Sequence, residues 1–160
     1  MAVSSRSAKV TLPSDTQILI TREFDAPRQH VFRAWTTPEL ITRWWSARRG
    51  TVTLAEVDLR PRGTWRYVMV TDGGVEVGFH GEYHEVVENE RIVSTEVFEG
   101  MPGSGVLVTT TFTERDGRTT LSQLTDAPSR EVRDAIVGSG MEAGMHDAMD
   151  LLEEVAISLA

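Results

Sequence analysis

The feature that most constrains this chain is a change of hydrophobic period at Pro128. Before it, from Thr51 to Thr125, apolar residues alternate in short runs separated by turn residues. After it, Val132, Ile136, Met141, Met145, Met149, Leu152, Val155 and Ala156 recur at helical spacing to about Ile157. The alternating runs predict strands over 51–57, 64–70, 75–87, 91–97, 106–114 and 119–125. Arg62-Gly63, Asp72-Gly73-Gly74, Glu88-Asn89-Glu90, the Gly100–Gly105 loop and Asp116-Gly117 punctuate them. These connections are too short for parallel crossovers, so the strands form an antiparallel meander. A sheet of this kind exposes one apolar face, and the amphipathic helical segment is what can cover it.

Upstream, Ile18 to Phe24 alternates as a further strand, with Ile20, Arg22 and Phe24 on one face. Asp25-Ala26-Pro27 reads as a helix start, because Asp can accept from free amides and Pro is tolerated in a first turn. That helix carries Val31, Phe32 and Trp35 inward. Thr37-Pro38-Glu39 opens a second short helix with Leu40, Ile41, Trp44 and Trp45, ended by Arg48-Arg49-Gly50. The predicted order is β-α-α-β₆-α. This is an α+β helix-grip class, with a curved antiparallel sheet of six or seven strands around a long C-terminal helix. Two short helices follow the first strand and close one end. Such a wrap leaves a space between helix and sheet, and that space is the expected site.

The 160 residues suit one domain, placed at 17–160. Residues 1–16 read as a flexible polar tail without a secretory signal. No apolar run reaches the ~20 residues of a membrane span. The absence of cysteine removes disulfides, thiolate metal sites and a Cys nucleophile, and suits a cytoplasmic setting. A net charge of −8 disfavours binding to nucleic-acid phosphates.

Specific motifs carry a resemblance. Arg22-Glu23-Phe24-Asp25-Ala26-Pro27, Val31 to Leu40 and Arg43-Trp44-Trp45 form its first half. Gly63 to Tyr67, Gly81 to Val86, Arg91 to Glu96 and Gly140 to Gly144 form the second. Over roughly 17–159 the chain resembles the bacterial branch of the heat-shock protein 90 ATPase activator homologue-like family, within the START-like, or SRPBCC, superfamily. The resemblance implies a helix-grip fold with a cavity, and no single activity. Members often carry Trp where this chain has Met145, an exchange of a rigid ring for a flexible thioether.

Within that frame, Trp44 and Trp45 are candidates for the cavity rim, although neighbouring helical residues diverge by ~100° and both cannot serve equally. Trp65, Tyr67 and Met69 share one strand face. Phe79, Tyr83 and Glu85 share another, with Val77 and Gly81. If Glu85 is buried it needs a partner, and Arg22 is one candidate. Phe112 and the helix stripe Met141, Met145 and Met149 complete the expected lining. The plainer explanations are core packing for the stripe, anchoring of the short helix and cover of the sheet edge for Trp44 and Trp45, and a structural ion pair at the sheet rim for Arg22–Glu85. His80, Glu82 and His84 share a strand face, but the two histidines lie ~13 Å apart and cannot ligate one ion. A solvated outer face explains them, and no metal or cofactor is expected.

No nucleophile–base arrangement or phosphate loop is legible. The favoured function is non-enzymatic binding or carriage of a small apolar or aromatic molecule. One alternative is a cavity enzyme of cyclase, dehydratase or hydrolase type using Glu85. A second, drawn from the family alone, is a chaperone-interacting module. Homodimerisation stays open.

Overall fold

In a computed structural model, residues 8–160 are described. Eight strands form one antiparallel sheet: β1 (Lys9–Thr11), β2 (Gln17–Phe24), β3 (Gly50–Val57), β4 (Thr64–Thr71), β5 (Glu76–Val87), β6 (Arg91–Phe98), β7 (Val106–Arg115) and β8 (Arg118–Asp126). Their order is β1-β2-β8-β7-β6-β5-β4-β3. β3 to β8 are thus a continuous meander, as the turn residues predict. Asp116 and Gly117 both take positive φ in the two-residue turn between Arg115 and Arg118, the conformation for which Asp-Gly is favoured.

The eighth strand lies where the sequence suggests a tail. Lys9–Thr11 pairs with Leu19–Thr21, and Val10 packs against the core. Pairing of this segment covers the backbone groups that β2 would otherwise leave open at the sheet edge. The tail expectation is therefore corrected from Lys9 onward, while residues 1–7 lie outside the described residues. β2 itself alternates fully, burying Ile18, Ile20, Arg22 and Phe24.

α1 (Arg28–Thr36) and α2 (Pro38–Ile41) follow β2. The residue capping α1 is Pro27, with no side-chain cap bond. Instead the Arg28 amide donates to Glu114 on β7 at 2.9 Å, so a distant strand satisfies the helix start. Past α2, Ala47 and Arg48 take positive φ (54° and 62°), and the chain there turns into β3. Two consecutive non-glycine residues in this region cost about 1–3 kcal/mol each, which the surrounding packing must offset.

The C-terminal segment is two helices. α3 (Arg130–Gly138) and α4 (Met141–Ser158) meet at Gly140, whose φ is +82°. A Cβ at Gly140 would meet nothing, so backbone conformation, rather than space, is what calls for glycine. α3 packs Val132 and Ile136 on a small cluster of Val106, Val108 and Ala127. α4 buries Met149, Leu152, Val155 and Ala156 in the main core with Phe24, Val31, Phe32 and Leu121. No helix among the described residues is long and apolar enough to cross a membrane.

Arg22 joins α4 to β2. It is 3% exposed, and its guanidinium meets Asp150 at 2.8 Å and Glu153 at 3.5 Å. Glu153 also accepts from the Asp25 amide at 2.9 Å. The proposed Arg22–Glu85 pairing is overturned, because the partners of Arg22 come from the helix rather than from β5. Arg22 is a structural tie.

Candidate functional site

Between the sheet and α4 lies a cavity of about 550 Å³, within the range of small-molecule sites. One half of its wall is aromatic. Trp65, Tyr67 and Met69 project from β4, with Phe79 and Tyr83 from β5. Trp45 closes over them, its ring 5.4 Å from Tyr67 and 5.7 Å from Phe79 in edge-on contacts. Trp65 lies 4.7 Å from Tyr67 and donates its indole N–H to the Thr95 carbonyl at 3.2 Å. That approach requires Gly81. A Cβ there would fall 1.8 Å from the Thr95 oxygen and 2.6 Å from the Trp65 nitrogen.

Met141, Met145 and Met149 supply the helix side, with Ala148. Arg49, Ser139 and Gly140 are exposed lining residues, so they mark the mouth at the α3–α4 break. Trp44 and Trp45 divide their roles as their divergence requires. Trp44 is buried, stacks on Trp35 at 5.1 Å and donates to the Ala34 carbonyl at 2.9 Å, although its edge still reaches the cavity. Trp45 belongs to the wall.

Three expected lining residues lie elsewhere. Arg22 is the structural tie just described. Phe112 is fully buried against Phe32 and Trp35, with ring separations of 5.3 and 6.3 Å, and is core. Glu85 stands outside. A β-bulge between Tyr83 and Glu85 resets the alternation, so Val86 turns inward and Glu85 outward to Arg91 at 2.7 Å. The expectation that Glu85 continues the aromatic face assumed a regular strand, which the bulge breaks.

The other side of the wall carries polar residues that were not anticipated, set among Ile92 and Val108. β6, β7 and β8 contribute Ser94, Glu96, Thr110 and Gln123. Register places Glu96 opposite Val106, on the same strand face as Ile92 and Ser94. A carboxylate in phase with Ile92 was the available signal, weakened because Ser94 between them is polar. Glu96 makes no hydrogen bond or ion pair with another described residue. Burial pushes its carboxyl up to about 7. Burial likewise raises the Tyr67 and Tyr83 hydroxyls, with their mutual interaction and the Glu96 charge as further causes at Tyr67.

The outer face behaves as expected. His80 lies 2.8 Å from Glu99, which also receives two 2.9 Å bonds from Arg66. These bonds, that from Arg66 first, hold the Glu99 carboxyl down at about 2. Among the described residues no cluster could hold a metal ion.

A sheet wrapped on a C-terminal helix around a half-aromatic cavity leads to one comparison. The family model described as Activator of Hsp90 ATPase homolog 1-like protein matches residues 25–156. The chain belongs to that family. Among solved structures, a Rhodobacter sphaeroides protein is 25% identical, with a TM-score of 0.89 over 95% of this chain and 99% of that one. A Nitrosomonas europaea protein is 21% identical, with a TM-score of 0.83 over 92% and 98%. An Aeromonas hydrophila protein described as AHSA1-like is 22% identical, with a TM-score of 0.68 over 88% and 93%. These likenesses support the helix-grip fold. No curated protein is a significant match.

Proposed function

We propose that this member of the Activator of Hsp90 ATPase homolog 1-like family holds a small apolar or aromatic molecule in its cavity, without chemistry of its own. The observation that carries the reading is the 550 Å³ space itself, walled on one side by Trp45, Trp65, Tyr67 and Phe79. Rings that contact one another edge-on present a rigid apolar surface, and the methionines opposite adapt to the shape of a guest. The mouth at Arg49 and Gly140 provides entry. A cysteine-free sequence is in keeping with a cytoplasmic setting.

The enzyme alternative loses its named residue, since Glu85 faces solvent and Arg91. A chaperone-interacting role draws support from the family description alone.

The test is thermal unfolding against a panel of aromatic and aliphatic molecules, with mass spectrometry of whatever co-purifies. A ligand at a hundredfold excess over its Kd stabilises by about 2.7 kcal/mol. Met145→Trp, which fills the helix side, should weaken that stabilisation. If nothing co-purifies and no member of the panel raises Tm, the reading fails.

A further inference from the structure

The two halves of the cavity wall differ in what they ask of a guest. The aromatic half, on β4, β5 and the loop carrying Trp45, is satisfied by any flat or chain-like apolar body. The polar half is not. Ser94, Glu96, Thr110 and Gln123 line this side of the cavity, and none of these four side chains has a hydrogen-bond partner among the described residues. A carboxylate taken from water without a partner is expensive, and chains normally supply a cation to offset it. Among the described residues none is supplied. Arg22 is consumed by Asp150 and Glu153. Among the described residues Arg49 is the only cationic side chain on the wall; it sits half-exposed at the mouth and reaches Asp147 at 3.4 Å. The other titratable groups lining the cavity are Tyr67 and Tyr83, whose hydroxyls burial keeps protonated. The missing counter-charge is therefore left to the guest.

We infer that the cavity is built for an amphipathic amine: a protonated nitrogen paired with Glu96, and an aromatic or alkyl body held between the rings and the methionines. This rests on the cavity-binding reading above and names the ligand class within it. The rings contribute on both counts. They contact the body, and the faces of Trp45, Trp65 and Tyr67 attract a cation wherever it lies within ~6 Å of a ring centre. An anionic guest meets the opposite situation. It brings a second negative charge into a space that already holds one without a partner. The raised Glu96 carboxyl agrees with this arrangement, since an arriving ammonium would restore the ionised form.

Three probes of matched body separate the charges: phenylbutylamine, phenylbutanol and phenylbutyrate. Their binding is measured by calorimetry at about pH 8, where an alkylamine is protonated. The wild-type chain should prefer the amine over the alcohol by about ten- to a hundredfold and bind the acid most weakly. Glu96→Gln should abolish that preference by weakening the amine far more than the alcohol, and a cooperative unfolding transition shows that the variant is folded. Should Glu96→Gln not fold, Glu96→Leu carries the same comparison. Equal affinities for amine and alcohol in the wild-type chain, an amine preference that survives both substitutions, or tightest binding of the acid overturns the inference and leaves the cavity-binding reading standing. Failure of all three probes to bind overturns both.

Discussion

Glu96 and Glu99 lie three residues apart, on and just beyond β6, and the structure treats them in opposite ways. An odd spacing puts them on opposite faces of the sheet. Glu99, outside, is held by Arg66 and His80, and its carboxyl falls to about 2. Glu96, inside, borders a cavity without a partner, and its carboxyl rises to about 7. The difference is not one of residue type or strand. Pairing decides it. On a surface a carboxylate collects cations at small cost and small gain, whereas inside it imposes a cost that something else must remove.

The largest expected effect breaks the comparison with a third carboxylate. Glu153 is more deeply buried than Glu96 but paired like Glu99, with Arg22 and the Asp25 amide. Glu153→Ala leaves the buried Arg22 guanidinium with Asp150 alone, and should destabilise the fold by about 3 kcal/mol in urea unfolding. A loss below about 1 kcal/mol would mean that Asp150 suffices.

Glu96→Gln should do the reverse. A carboxyl raised on folding binds more protons folded than unfolded, so stability falls as pH climbs from the usual carboxylate range to about 7. The substitution removes that fall. It should therefore be neutral in acid and stabilising above pH ~7, by up to about 3 kcal/mol. Unfolding curves at both ends of the range check it, and a uniform offset at all pH would contradict the burial cause.

The smallest effect lies outside. Glu99→Gln should cost less than about 1 kcal/mol at neutral pH, because the cluster with Arg66 and His80 is largely solvated. Its sign is opposite. The stabilisation from a depressed carboxyl is present above the usual range and disappears as pH falls towards about 2. Unfolding in acid should show the wild-type chain and the variant converging.

Much of the fold was legible from local pattern. The strand positions followed from alternation, and the hairpins from Asp-Gly and related pairs, because both depend on neighbours in sequence. The aromatic half of the cavity followed too, since Trp65, Tyr67 and Met69 alternate on a regular strand. What escaped depended on distant or irregular features. The bulge after Tyr83 inverted Glu85, and no single residue announces a bulge there. Arg22 found its partners 128 and 131 residues away, across the helix interface. Glu96 was hidden by its polar neighbour Ser94, although its phase with Ile92 was readable. Periodicity gave one long C-terminal helix, whereas the left-handed Gly140 divides it into two.

That break has a consequence for traffic. α3 rests on Val106, Val108 and Ala127, and its Ile136 also packs against the core that holds α4. Ser139 and Gly140, which join the two helices, are also part of the cavity rim. A displacement of α3 would therefore reach the cavity rim and, through Ile136, the core beneath the helix that carries the methionines. Residence time of a guest would then depend on the firmness of this corner as well as on how tightly the walls hold it.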